Sequence, residues 1–131
     1  MKPLVLDTSI LIEWLRGRRK ELIPDARDRL LYLPAPVEME LLAGIKNLKH
    51  QRVLEALLGP FSRHNRIITP KREDFRRAGQ VLAETGKSSS LHGNDALICV
   101  CARSIGAELW TLNKKDFTPF SQVLRLALGP E

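Results

Sequence analysis

Short apolar runs that alternate with stretches of helical periodicity restrict this chain to a narrow set of folds. Residues 3–6 form an apolar run of strand length, and the following Asp7-Thr8-Ser9 offers a hydroxyl to cap a helix over roughly 10–16. A second helix is expected around 24–31, leading into a short extended segment at 31–33 that Pro34-Ala35-Pro36 turns aside. From Val37 the apolar residues Val37, Leu41, Ile45 and Leu48 recur at helical spacing, with Gly44 as a point of close backbone approach, and a further helix follows over 51–58. Residues 66–69 read as a strand ended by Pro70. Phe75, Ala78, Val81 and Leu82 then mark a helix that finishes near Gly86. After a polar loop at 87–93, Gly93 or Asn94 caps a helix running through Ile105 that is apolar nearly all round and should be central. Residues 108–112 and 123–128 read as the last two strands, joined by a loop at 113–117. Parallel strands need crossover helices, so this order implies an α/β three-layer sandwich, with helices on both faces of a mostly parallel sheet.

The chain has 131 residues, within the usual range of one domain, and neither a linker nor an internal repeat divides it. Hydrophobic residues make up 44% and charged residues 27%, close to the soluble globular average. The apolar runs fall well short of the roughly 20 residues of a membrane helix. Asp7 also interrupts the N-terminus too early for a secretory leader, so a cytoplasmic protein is expected. Cys99 and Cys101, the two cysteines, point about 200° apart on one helix, which predicts neither a disulfide nor a zinc site. His50, His64 and His92 lack ligand spacing. Lys and Arg exceed Asp and Glu by 21 to 15, giving a net charge of +6 that suits a polyanionic partner without choosing a reaction.

In an open α/β sheet the functional crevice lies beyond the carboxyl ends of the strands, and that position tests every acidic residue. Asp7 ends the first strand, although it is also placed to cap the helix behind it. Asp95 is expected at the start of the central helix, where the helix dipole favours an anion. Glu38 and Glu40 flank opposite edges of the apolar stripe after Pro36, and periodicity does not choose between them. Asn113 and Asp116 follow the strand that ends at Leu112. Two carboxylates about 5 Å apart repel by about 3 kcal/mol at an effective dielectric near 20. A hard divalent cation relieves that repulsion, and all-oxygen ligation suits Mg²⁺ or Mn²⁺, either of which also activates water for attack on a phosphate.

The segments Leu4-Val5-Leu6-Asp7-Thr8-Ser9, Glu40-Leu41-Leu42-Ala43-Gly44, Asn94-Asp95-Ala96-Leu97-Ile98 and Thr111-Leu112-Asn113-Lys114-Lys115-Asp116-Phe117 resemble the PIN-domain family, and VapC-type toxins of toxin-antitoxin pairs most closely. The likeness spans essentially the whole chain in the family's order. It implies a PIN-like fold of four or five parallel strands, metal-dependent endoribonuclease activity, a homodimer and a small antitoxin partner. It also selects Glu40 over Glu38. Carried over by position, Asp7 and Asp95 are the principal metal ligands, Glu40 binds directly or through water, and Asp116 is the fourth acid, with Asn113 the alternative. Ser9 would support Asp7, and Lys114, with Lys87 and Lys115, would hold flanking phosphates. Two rivals are a non-catalytic RNA-binding scaffold, which would lack rim acids, and an Asp-nucleophile phosphatase, which would carry a second Asp where Ser9 stands. A dinucleotide-binding domain would need a glycine-rich turn after the first strand, and Asp7-Thr8-Ser9 stands there instead.

Overall fold

The computed structural model describes residues 2–17 and 29–129. In chain order the elements are β1 (Lys2–Leu6), α1 (Thr8–Leu15), β2 (Arg29–Pro34), α2 (Ala35–Ala43), α3 (Leu48–Arg63), β3 (Ile67–Ile68), α4 (Arg72–Thr85), α5 (Ser89–Ser104), β4 (Glu108–Trp110) and α6 (Lys114–Leu124). The four strands form one parallel sheet in the order β3-β2-β1-β4. β1 lies inside it, in register with β2 (Leu4 beside Leu31) and with β4 (Leu6 beside Trp110). A strand paired on both edges and covered on both faces is apolar without alternation, and Leu4, Val5 and Leu6 are all buried. Helices α1, α2 and α3 pack together as one group and α4, α5 and α6 as another, giving the three-layer α/β arrangement that the alternation implies.

Helix α5 is the centre of the second group, packed against both α4 and α6 and touching β2 and β4. Seven consecutive residues, Ala96 to Ala102, are buried, including both free cysteines. Its start departs from the sequence expectation. Ser88 caps the helix by accepting the Leu91 N–H, so 89–93 is helical and Asp95 lies in the second turn. The attraction of an anion to the helix N-terminus therefore does not explain Asp95.

The expected strand at 123–128 is also absent. Phe117, Phe120, Ser121 and Leu124 repeat at helical spacing and are buried along α6, and Asn113 is its N-cap, so the expected loop at 113–117 is mostly its first turn. Pro119 sits inside this helix, where the Thr118 and Ser121 hydroxyls bond back to the carbonyls of Lys114 (2.6 Å) and Thr118 (3.0 Å). The segment meets the sheet at one isolated parallel bridge, Leu128 beside Leu109, in which the Leu109 N–H donates to the Ala127 carbonyl and the Gly129 N–H to the Leu109 carbonyl, both at 3.0 Å. In the first half, 29–31 belongs to β2, not to a helix, and the rest of the helix expected at 24–31 lies outside the described residues, as do Arg18, Arg19 and Lys20 of a basic run that reads from sequence as a solvated loop. Helix α2 begins at Ala35, with Pro36 in its first turn, where a missing N–H costs nothing, and it ends at Gly44 before reaching Ile45 and Leu48.

At the amino edge of the sheet, Arg29 donates to the Lys2 and Pro3 carbonyls, and Glu108 accepts from Lys2 at 2.7 Å and pairs with Arg29 at 3.5 Å. Hydrogen bonding by Lys2, with Arg29 nearby, holds the Glu108 carboxyl below the ordinary range. These contacts tie β1, β2 and β4 together at the end opposite the acidic rim. Among the described residues, no helix is long and apolar enough to cross a membrane.

Candidate active site at the carboxyl rim

Asp7 is the first residue past β1, and its N–H still donates to the Trp110 carbonyl of β4 at 3.0 Å, so the sheet itself carries it to the rim. It is only 4% exposed. Although it is the N-cap of α1, its carboxylate accepts no capping bond from the helix backbone. Its Oδ2 instead accepts two hydroxyls, from Ser9 at 2.8 Å and from Thr111 at 2.8 Å. The Leu112 N–H donates to Ser9 Oγ at 3.0 Å, and the Asn113 N–H donates to Thr111 Oγ1 at 3.0 Å. The turn after β4 is thereby laced to the start of α1. Both hydroxyls fall on one carboxylate oxygen, so the side chain is fixed in orientation while Oδ1 receives neither of them.

Glu40 lies past the first turn of α2, half-buried. Burial raises its pKa above the usual carboxylate range, and the charges of Asp7 and then Asp95 raise it further, while Thr8 and Asn94 favour the ionised form. Neither of those two closes a hydrogen bond to Glu40 Oε1, which is buried without a partner, as is Thr8 Oγ1. Among the described residues, three buried side-chain polar atoms are orphaned in this way, and two of them sit here, where such atoms are costly unless a ligand or water completes them.

The Asp95 carboxyl is pushed up to about 6, by burial first, then by Asp7 and Asp116, with His92 acting in the opposite direction. Asp116 is exposed in the first turn of α6, a position that favours a negative charge. Four acids from four separate segments are thus electrically linked, Asp7 with Glu40 and Asp95, and Asp95 with Asp116. Asn113 offers its backbone N–H to Thr111, and its side chain makes no cap bond. Lys114 and Lys115 open α6, and Lys87 precedes Ser88 before α5, exposed. Sequence reading gave no role in the site to Thr8, Thr111, Asn94 or His92, and took Asn94 as a possible helix cap. Thr111 carried the clearest signal, as a polar residue closing the apolar run Leu109-Trp110.

The donor chemistry fits a hard divalent cation: carboxylate and hydroxyl oxygens, mutual repulsion, and an orphaned Glu40 oxygen. Among the described residues, however, no three acidic, histidine or cysteine side chains converge closely enough to grip one ion, so the rim is more open than the tight cup expected from the sequence. Mg²⁺ characteristically keeps several waters and takes one or two carboxylates, a demand that an open rim meets.

Solved structures similar to this chain include DNA-bound VapBC from Salmonella typhimurium, with 23% identity, a TM-score of 0.74 and 98% of each chain covered. VapBC-1 from nontypeable Haemophilus influenzae is similar at 23% identity and a TM-score of 0.71, covering 97% of this chain and 96% of that one. VapBC-5 from Mycobacterium tuberculosis, a member of the VapBC family of toxin-antitoxin systems, is similar at 21% identity and a TM-score of 0.65, with 98% of each chain covered. At these identities the likeness is one of fold. No curated protein matches the chain significantly. The PIN domain family model matches residues 4–123, nearly the full length, and the chain belongs to the PIN-domain family.

Proposed function

We propose that the protein is a metal-dependent endoribonuclease and the toxin of a toxin-antitoxin pair, acting in the cytoplasm where its RNA is. The carrying observation is the charge interaction of Asp7 with Glu40 and Asp95, and of Asp95 with Asp116, along an open rim, with the Glu40 and Asp95 carboxyls raised and a buried Glu40 oxygen left without a partner. Such a site is poorly satisfied alone, and a doubly charged cation relieves it. Asp7 and Asp95 would hold Mg²⁺ or Mn²⁺, Glu40 would bind directly or through water, and Asp116 would position the attacking water or a second ion. When bound, the ion supplies an activated water and neutralises charge on the phosphate.

The chain's own residues do the positioning. Ser9 and Thr111 keep the Asp7 carboxylate in one orientation without reorganisation. Lys114, at the first turn of α6, would hold a flanking phosphate, and Asn113 would orient a phosphate oxygen. The similarity to VapBC toxin-antitoxin structures supports an antitoxin partner, and a homodimer is the working assembly of this reading.

The test is hydrolysis of labelled RNA with Mg²⁺ or Mn²⁺, with chelator, and with Asp7→Asn. Chelator should stop cutting, and the variant should lose about 100-fold or more in rate. Unchanged cutting by Asp7→Asn would eliminate this site.

A further inference from the structure

Helix α5 opens with Ser89, Ser90, Leu91 and His92 before it reaches Asp95, so His92 stands three residues ahead of that acid on the same side of the helix. Its N–H donates to the Ser88 carbonyl at 2.9 Å, which places it within the regular first turn. Its ring centroid is 6.4 Å from that of Phe120, with the planes tilted by 60°, and Phe120 is fully buried one turn beyond Asp116 on α6. The imidazole thus projects from the helix that carries Asp95 and rests against the one that carries Asp116, while it remains only partly buried. It is close enough for its charge to act on Asp95. Beside it, Leu91 is 80% exposed, an apolar surface turned to water at the same helix end. Trp110, Phe117 and Phe120 are sealed in the core and have no face to offer a nucleotide.

We propose that His92 contacts the RNA: its imidazole, steadied by Phe120, packs against the base adjoining the phosphate that is cut. The inference rests on the nuclease reading above and adds a substrate-binding residue to it. A ring that is held in place loses little freedom when a base stacks on it, and every base has a face to stack, so the contact strengthens binding while tolerating sequence.

Steady-state cleavage of a short RNA separates this role from a structural one. His92→Ala should raise KM about tenfold, leave kcat within about twofold and leave the melting temperature unmoved. His92→Phe, which keeps a flat ring, should stay near the parent. His92→Gln, which keeps polarity without the ring, should match His92→Ala and serves in its place if the alanine variant melts early. An abasic nucleotide beside the cut should raise the parent's KM and leave that of His92→Ala where it was. Fluorescence anisotropy with the same RNA, in an Asp7→Asn background, should give the same ranking without turnover. A parent that cuts RNA while His92→Ala and His92→Gln keep its KM overturns this inference alone, as does a His92→Phe variant no better than His92→Ala. A parent that neither cuts nor binds RNA overturns the nuclease reading and this inference together.

Discussion

Asp7 and Thr111 are 104 positions apart, yet a 2.8 Å hydrogen bond between them decides how the first acid of the rim is aimed. Thr111 is 1% exposed and uses its hydroxyl twice, donating to Asp7 and accepting the Asn113 amide. Replacing it by Val keeps the shape but takes the partner from the Asn113 amide and lets the Asp7 carboxylate turn. Thr111→Val should weaken Mn²⁺ binding or cleavage by about 10–100-fold, as lost outer-shell partners do, while the variant stays folded. Calorimetric titration with Mn²⁺ checks this, and an affinity equal to the parent's would show that Thr111 does not aim the carboxylate. Ser9 was named as a supporter of Asp7 through the family resemblance, since it stands inside the motif around Asp7. Thr111 was not, because nothing local marks a partner across the sheet.

The ends of the helices show the same division between what is local and what is not. Helix α4 stops at Gly86, with φ of 67°, a left-handed turn that glycine makes cheaply, and sequence reading placed that stop. Helix α6 stops in the same way at Arg125, with φ of 53°, and no glycine announces it. With Pro119 inside the helix as well, the segment reads as a loop followed by a strand, although its apolar spacing is helical. A non-glycine residue in this conformation costs about 1 kcal/mol. The exposed Arg125→Gly variant should therefore melt about 3 °C higher than the parent in a thermal scan. A lower melting temperature would mean that the arginine side chain stabilises the helix end by more than its backbone strain costs. Ser88, the cap that moves Asp95 into the second turn of α5, was hidden among three consecutive serines, any of which could cap.

Across the molecule, the acidic rim sets the metal-free fold against itself. Asp95 titrates at about 6 in the native protein against an ordinary 3.8, so the native state holds its proton more tightly than the unfolded chain does. Stability contributed by this group is therefore full at low pH and is lost as pH rises through that interval, with Glu40 acting in the same direction. In chelator, Asp95→Asn should melt near the parent at about pH 4 and increasingly above it toward about pH 7. Mn²⁺ at neutral pH should raise the parent's melting temperature and close the gap, since an ion that binds only the folded state stabilises it. A gap that does not change with pH would show that Asp95 ionises freely. Glu108, at the opposite edge of the sheet, is held low by Lys2 and Arg29, and its contribution runs the other way, fading as pH falls below the usual carboxylate range.

By itself the sequence determined the alternation of strands and helices over most of the chain, the apolar run of β1 and the central place of α5, because each depends on composition and periodicity within a single segment. Tertiary structure alone decided the strand order β3-β2-β1-β4, the absence of a strand at 123–128, and the Ser9 and Thr111 hydroxyls on one oxygen of Asp7. It also decided that Glu40 is the acid of α2 whose carboxyl feels Asp7 and Asp95, a choice that helix periodicity left open. The physical reason is range: propensity and hydrophobic period act over a few residues, whereas orientation at a site depends on hydrogen bonds and charges between segments that only the folded sheet brings together.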